Sequence, residues 1–168
     1  MTALGEGAEA IVDRIGELLP AAQCAYDERS RSTIVTLAAA QLEESLQRLR
    51  DDPALGFAVL IDLFVIDRAP AEPRFQVVYQ LVAPDTGHRL RAVVNVDVDA
   101  AADACRVPSV REVWPAADWL EREAHDLFGL VFEGHPELRR ILLDEDFEGH
   151  PLRKDFVAVR AGADGEPA

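Results

Sequence analysis

Phe57-Ala58-Val59-Leu60-Ile61-Asp62-Leu63-Phe64-Val65-Ile66 is an apolar run interrupted by a single carboxylate, Asp62. A run of this length, rich in β-branched and aromatic residues, reads as a strand with little exposed surface. Arg74 to Val82 reads as a second strand. Pro84-Asp85-Thr86-Gly87-His88 then makes a hairpin turn in which Gly87 supplies the positive φ. Leu90 to Val98 is the third strand and it alternates. Val94, Val96 and Val98 share one face, while Asn95 and Asp97 share the other. Three consecutive strands with one apolar face call for a covering layer on that face.

Upstream, residues 7–19 place Ala8, Ile11, Ile15 and Leu18 on one helical stripe, and Pro20 stops the helix. Gln23 to Tyr26 and Ser32 to Leu37 read as short strands around the polar turn Asp27 to Arg31. Residues 39–50 return to helical spacing through Leu42, Leu46 and Leu49, and Asp51-Asp52-Pro53 ends that helix. The order α-β-β-α-β-β-β gives the fold class α+β. A small mixed, mostly antiparallel sheet is covered by helices, and an extended C-terminal arm follows.

Downstream of the strands, Asp99 to Asp103 is alanine-rich and carries no pattern. Val113-Trp114-Pro115 leads into a helix expected to run to about Phe128, with Gly129 at its C′ position. Trp114 and Trp119, near the start of this amphipathic helix, read as core. Beyond Gly129 both periods are lost. The chain therefore divides into an α+β core domain at 1–128, an extended partner-binding arm at 129–159 and a disordered tail at 160–168. The arm has few apolar residues with which to hold itself on the core.

The chain has 168 residues with 31 acids against 17 bases, a formal charge of −14; the bases are 16 arginines and Lys154. A balance this acidic argues against nucleic acid as a partner and against attachment to anionic lipid through a basic patch. Cys24 and Cys105 stand far apart with no C-x-x-C, which argues against a thiolate metal or cluster site. Met1 to Glu6 lacks the features of a signal peptide, and no apolar run approaches the ~18 residues of a membrane span. A cytoplasmic protein with reduced cysteines and no membrane span is expected.

The arm contains a repeat. Phe132-Glu133-Gly134-His135-Pro136 recurs as Phe147-Glu148-Gly149-His150-Pro151, and the copies are followed by Leu138-Arg139-Arg140 and Leu152-Arg153-Lys154. Each copy reads as a tight turn, with Gly free to take positive φ and Pro fixing the next residue. Each turn then presents an apolar anchor beside two cations, a combination used by protein–protein hot spots. The histidines are expected to bond backbone around the turns or to meet partner groups. The cations are expected to meet carboxylates on a neighbouring chain or on Glu121, Glu123 or Asp126. Along the preceding helix, Arg122 and Asp126 are spaced to pair at i,i+4.

Metal and enzyme readings of these residues fare poorly. His125, His135 and His150 lie near Glu121, Glu123 and Asp126. A carboxylate-bridged di-iron site would need Glu-x-x-His twice, whereas Glu121 and His125 are four apart and occur once. His-Glu-x-x-His, Gly-x-Ser-x-Gly, Gly-x-Gly-x-x-Gly and Walker loops are all absent. A free-standing soluble enzyme using Glu121, Glu123, His125 and Asp126 is the remote alternative.

The sequence Glu121-Arg122-Glu123-x-x-Asp126-Leu127-Phe128-Gly129-Leu130-x-Phe132-x-Gly134-His135-Pro136-x-Leu138-Arg139-Arg140-Ile141-Leu142 is followed by Asp146-x-x-Gly149-His150-Pro151-Leu152-Arg153-Lys154-Asp155-Phe156. Together these closely resemble the 30 kDa subunit family of bacterial respiratory complex I, NADH-quinone oxidoreductase. His125 stands where the family pattern has an aromatic such as Tyr or Trp. The resemblance implies a peripheral-arm subunit on the cytoplasmic side of the inner (plasma) membrane. Such a protein sits against the large 49 kDa-type subunit and supports quinone reduction in a proton-pumping enzyme. It implies no catalytic, cofactor-binding or metal-ligating residue in this chain, with flavin, iron–sulfur clusters and quinone held by partner subunits. The residues expected to face partners are Glu121, Arg122, Asp126, His135, Leu138, Arg139, Arg140, His150, Leu152, Arg153, Lys154 and Phe156. The same type of chain also resembles components of membrane-bound hydrogenases, formate hydrogenlyases and F420-type dehydrogenases.

Overall fold

The computed structural model describes residues 4–98 and 105–158; the unpatterned stretch at 99–103 and the tail expected at 160–168 lie outside them. Its elements are α1 (Leu4–Leu18), β1 (Gln23–Asp27), β2 (Ser32–Leu37), a short 3-10 turn (Ala39–Gln41), α2 (Leu42–Asp51), β3 (Val59–Asp67), β4 (Phe75–Val82), β5 (Arg89–Val96), β6 (Cys105–Pro108), α3 (Ala117–Phe128) and β7 (Leu130–Glu133). Five strands form a mixed sheet in the order β1-β2-β5-β4-β3. Every pairing in it is antiparallel except β2 with β5. The fold is therefore α+β with a mostly antiparallel sheet.

The alternation in each strand sets the inner face. Val35 and Leu37 lie level with Ala92 and Val94, and Tyr79 lies level with Ala92 and Leu63. All of these are buried, together with Ile11 and Ile15 of α1, Leu19 just after it, and Leu42, Leu46 and Leu49 of α2; Leu18, expected on the α1 stripe, is half-buried. The helices thus fill the apolar face that the strand pattern requires. Edge strand β3 carries a bulge between Leu60 and Asp62, which leaves Ile61 outside at 58% exposure. Bulges of this kind interrupt a regular edge and limit its pairing with other chains.

Strands β6 and β7 lie outside what the sequence predicts. They pair in parallel as a separate two-stranded sheet, and Cys105, Val107, Leu130 and Phe132 pack into the main core. Four-residue strands give too few alternations for their period to be read. The boundary expected at Phe128 falls between α3 and β7.

Two hydrogen bonds fix the entrance to α3. Trp114 donates its indole N–H to the Ala58 carbonyl (3.0 Å), and Arg50 Nη1 donates to the Val113 carbonyl (2.7 Å). Trp114 is core as expected. Trp119 is not; it is 63% exposed, with the Arg122 guanidinium 4.7 Å from its ring centre. At the other end, Gly129 takes φ +72 and its N–H bonds the His125 carbonyl, the left-handed cap that the sequence predicts.

Candidate docking site

Helix α3 and the arm form one polar assembly, built from the motif residues. Glu121 is fully buried. Its carboxylate accepts from Ser109 Oγ (2.6 Å) and the Val110 N–H (2.7 Å), which ties α3 to the loop after β6. Burial pushes its carboxyl up to about 7, against the pull of those two donors. Asp126 is also fully buried. One of its oxygens accepts three successive backbone N–H groups, from Ile141 (3.0 Å), Leu142 (2.8 Å) and Leu143 (3.0 Å). The other lies 3.7 Å from Arg140 Nε. Burial opposes ionisation of this carboxyl, but the amides and Arg140 together hold it below the ordinary range.

The arm crosses α3 over Asp126, which is why this carboxylate is interior while Trp119 and Glu123 of the same helix are exposed. The i,i+4 pairing of Arg122 with Asp126 does not form. Arg122 donates to the Arg139 carbonyl (3.3 Å) and lies over Trp119.

The two repeated turns have corresponding roles. Gly134 and Gly149 take φ of +86 and +89, as the motif requires. His135 accepts the Glu137 N–H at Nδ1 (3.1 Å), so its Nε2–H donates to the Asp118 carbonyl (3.3 Å). His150 Nδ1 donates to the Asp126 carbonyl (2.8 Å). The repeat thus clamps α3 at two carbonyls eight residues apart. Burial first, and then Arg153, Arg140 and His125, hold the His150 ring below its usual range, which keeps it neutral.

The cations of the arm work mainly within the chain. Arg153 Nε donates to the Phe128 carbonyl (2.6 Å) at the open end of α3, and its guanidinium lies 5.5 Å from the Phe75 ring. Arg140 faces Asp126, and Arg139 pairs on the surface with Glu137 (2.9 Å). Lys154 donates its backbone N–H to Asp67 and its ammonium to the Ala69 carbonyl, both at 2.9 Å. Phe156 is half-buried and stacks on Phe147 at 6.0 Å, and Leu138 packs on the core. Leu152 is 53% exposed, although its N–H bonds the Leu127 carbonyl (3.2 Å). Leu130 and Phe132 fix the start of the arm by burial in the core, and beyond β7 the arm is held mainly by hydrogen bonds.

Sequence reasoning passes over Asp67 and Arg74. Asp67 ends β3 buried and accepts from Ala69, Arg74 and Lys154; its donors outweigh burial and hold its carboxyl at about 2. Arg74 also bonds Asp155 (2.7 Å), so this pair anchors the far end of the arm. The one available signal is a carboxylate closing an apolar run.

Glu121, Glu123, His125 and Asp126 do not converge. Glu123 is exposed, His125 donates to the Leu130 carbonyl (2.8 Å), and the other two are committed as described. Among the described residues no group of three or more His, Cys, Asp or Glu is placed to hold a metal ion. No described helix is long and apolar enough to cross a membrane.

The surface is lopsided. Among the described residues the exposed large apolar side chains are Val59, Ile61 and Ile66 on β3, Trp119 on α3, and Leu142, Phe147, Leu152 and Val157 on the arm. Between β3 and α3 lies a cleft of about 180 Å³ lined by Leu63, Phe64, Glu123, Leu127, Phe128 and Leu152, among others.

The family described as respiratory-chain NADH dehydrogenase, 30 Kd subunit, matches residues 35–161. The chain is 45% identical over 157 residues to the C subunit of the NADH-quinone oxidoreductase of Methylobacterium sp. (strain 4-46), covering 90% of this chain and 69% of that one. It is also 45% identical to the protein of the same name from Brucella abortus (strain 2308), covering 92% and 72%. Among solved structures it resembles a chain of the membrane-bound sulfane sulfur reductase, an archaeal respiratory membrane complex. That match has a TM-score of 0.74 at 30% identity, over 89% of this chain and 85% of that one. With matches of this extent, the chain belongs to the 30 kDa subunit family of respiratory-chain NADH dehydrogenases.

Proposed function

We propose that this chain is a cofactor-free peripheral-arm component of a proton-pumping NADH:quinone oxidoreductase. It docks on the large 49 kDa-type subunit that helps form the quinone site, and it supports quinone reduction from the cytoplasmic side of the membrane. Flavin, iron–sulfur clusters and quinone belong to its partners. The observation that carries this reading is that, among the described residues, the large exposed apolar side chains lie on β3, α3 and the arm, elements that pack on one another. Apolar surface concentrated on one side of a chain of charge −14 marks an interface rather than a solvated face. Of the residues expected to face partners, Leu152, Arg139 and Lys154 are exposed there.

Trp119→Glu and Leu152→Glu test the docking. Both side chains are largely solvated, so the isolated chain keeps its melting temperature. Placing a charge in a desolvated interface costs at least ~2 kcal/mol, about 30-fold in affinity. Both variants are expected to be lost from the complex and to lower NADH-to-quinone turnover, while NADH oxidation by an artificial acceptor persists. Normal assembly with full turnover in both would overturn the reading.

A second reading keeps the scaffold role and changes the parent complex, and the likeness to the sulfane sulfur reductase chain favours it. The two are separated by what co-purifies with the tagged chain. An NADH-oxidising flavoprotein supports the first, and its absence from an intact complex supports the second.

A further inference from the structure

At the opposite end of the main sheet from the arm's anchor, the β1–β2 turn and the β4–β5 hairpin flank an open cavity of about 300 Å³, at whose rim Arg31, Thr86 and Arg89 are exposed. Its walls carry Tyr26, Ser30, Arg31, Thr33, Thr86, His88 and Arg89, with Ala8 of α1 at one side. We propose that this cavity is a binding site for a phosphate-bearing anion.

Three observations carry the proposal. The first is charge. In a chain with 31 acids and 17 bases, arginines should find carboxylates easily. Arg14, Arg48, Arg50, Arg74, Arg106, Arg111, Arg139 and Arg140 do so. Arg31 and Arg89, which line this cavity, and the neighbouring Arg29 make no such pair among the described residues; elsewhere Arg68, Arg122 and Arg153 also make none, but Arg122 and Arg153 donate to backbone carbonyls instead. Asp27, at the start of the β1–β2 turn, feels the charge of Arg91 but is occupied by its own turn, where it accepts from Ser30 Oγ and the Arg29 N–H.

The second observation is chemical. Two guanidiniums, an imidazole and four hydroxyls line one space, and the side chains of Tyr26, Arg31, Thr33 and Arg89 make no hydrogen bond among the described residues. Guanidinium forks with surrounding hydroxyl donors match the several oxygens of a phosphate. The third is backbone. Arg31 takes φ +52, the one non-glycine residue at positive φ among those described. A β-turn position of this kind favours Gly or Asn. The residue in that position is an arginine, and its side chain lines the cavity.

The test titrates the full-length chain with inorganic phosphate at constant ionic strength, following backbone and imidazole resonances. A parallel arm measures co-sedimentation with vesicles of phosphatidylglycerol in phosphatidylcholine. The variant is Arg31→Gly with Arg89→Gln; the glycine suits the backbone, so folding is preserved, as its melting temperature checks. Saturable shifts confined to Tyr26–Thr33 and Thr86–Arg89, weakened at least about tenfold in the variant, support a soluble phosphate compound. Vesicle binding lost in the variant supports a phosphate headgroup. Absence of both, or responses unchanged by the variant, overturns the site.

Discussion

Asp126→Asn isolates the contact that holds the arm on α3. The native carboxylate accepts three adjacent N–H groups on one oxygen, with Arg140 beside the other. Hydrogen bonds to a charged acceptor contribute about 1.5–3 kcal/mol each, so the three sum to roughly 5–9 kcal/mol. That sum is a ceiling, because an arm that lifts off returns its amides to water. Asparagine keeps one acceptor oxygen but only neutral bonds, about half as strong. It also turns an amide N–H₂ toward Arg140 or toward the three donors. The expected loss is about 2–4 kcal/mol, a large share of a typical domain's ~5–15 kcal/mol. Chemical denaturation gives the total, and amide exchange at Ile141, Leu142 and Leu143 gives the local part. Protection at these amides should fall more than protection in β4 or β5. The sign with pH follows from the depressed carboxyl. Its contribution is complete above the unfolded value near 4 and is lost as pH falls through the folded one. The wild type should therefore lose stability in acid more steeply than the variant. An Asn variant within ~0.5 kcal/mol of wild type, with unchanged exchange at 141–143, refutes this account of the arm.

Two further predictions concern α3. Glu121 has its carboxyl raised from 4.5 to about 7, so the folded chain retains a proton that the unfolded chain releases, and stability declines as pH rises between those values. The full span is ~3 kcal/mol at 1.36 kcal/mol per unit. Glu121→Gln, which can keep the Val110 and Ser109 bonds, should flatten denaturation midpoints measured between pH 5 and 8; an unchanged slope counts against it. In Gly129→Ala, the added Cβ would sit 2.3 Å from His150 Nε2 and 2.6 Å from Arg153 Nη2, at φ +72. The left-handed backbone alone costs about 1–2 kcal/mol, and displacing both side chains uncaps α3. Its melting temperature should drop clearly, and protease sensitivity should rise near residue 150; wild-type behaviour in both measurements contradicts the packing.

The main sheet is legible because its strands are long enough to alternate. Of the residues chosen for its face and for the stripes of α1 and α2, Val94, Val96, Ala8, Ile11, Ile15, Leu42, Leu46 and Leu49 are buried, while Val98 and Leu18 are half-buried. Strands β6 and β7 are not legible, since four residues give two alternations at best and β6 follows an unpatterned stretch. The motif residues can be read as a group but not in their individual roles. Glu121 and Asp126 resemble surface acids on a helical wheel, and only the loop after β6 and the returning arm make them interior. Those partners lie 11 to 17 residues away in sequence, at spacings that no helix or strand period encodes. Trp119 fails in the opposite sense, because hydrophobicity places it inward while the described residues do not cover it.

The repeat links these observations. Beyond β7, whose Leu130 and Phe132 are in the core, the arm has few apolar residues, so it is fastened mainly by hydrogen bonds, and those need acceptors at fixed positions. Carbonyls near the two ends of α3 provide them. The last carbonyls of a helix lack intrahelical partners, and His150 and Arg153 satisfy those of Asp126 and Phe128. The carbonyl of Asp118, at the N-terminal end, receives a second donor from His135. A Gly-His-Pro turn suits this task, because its bend brings an imidazole onto the helix and leaves the flanking chain outside. Two turns give two fixed points and thus set the orientation of the arm as well as its position. Fastening through polar groups has a second consequence. It leaves Leu142, Phe147 and Leu152 unspent on the chain's own core, and so free to be buried by another protein of the complex.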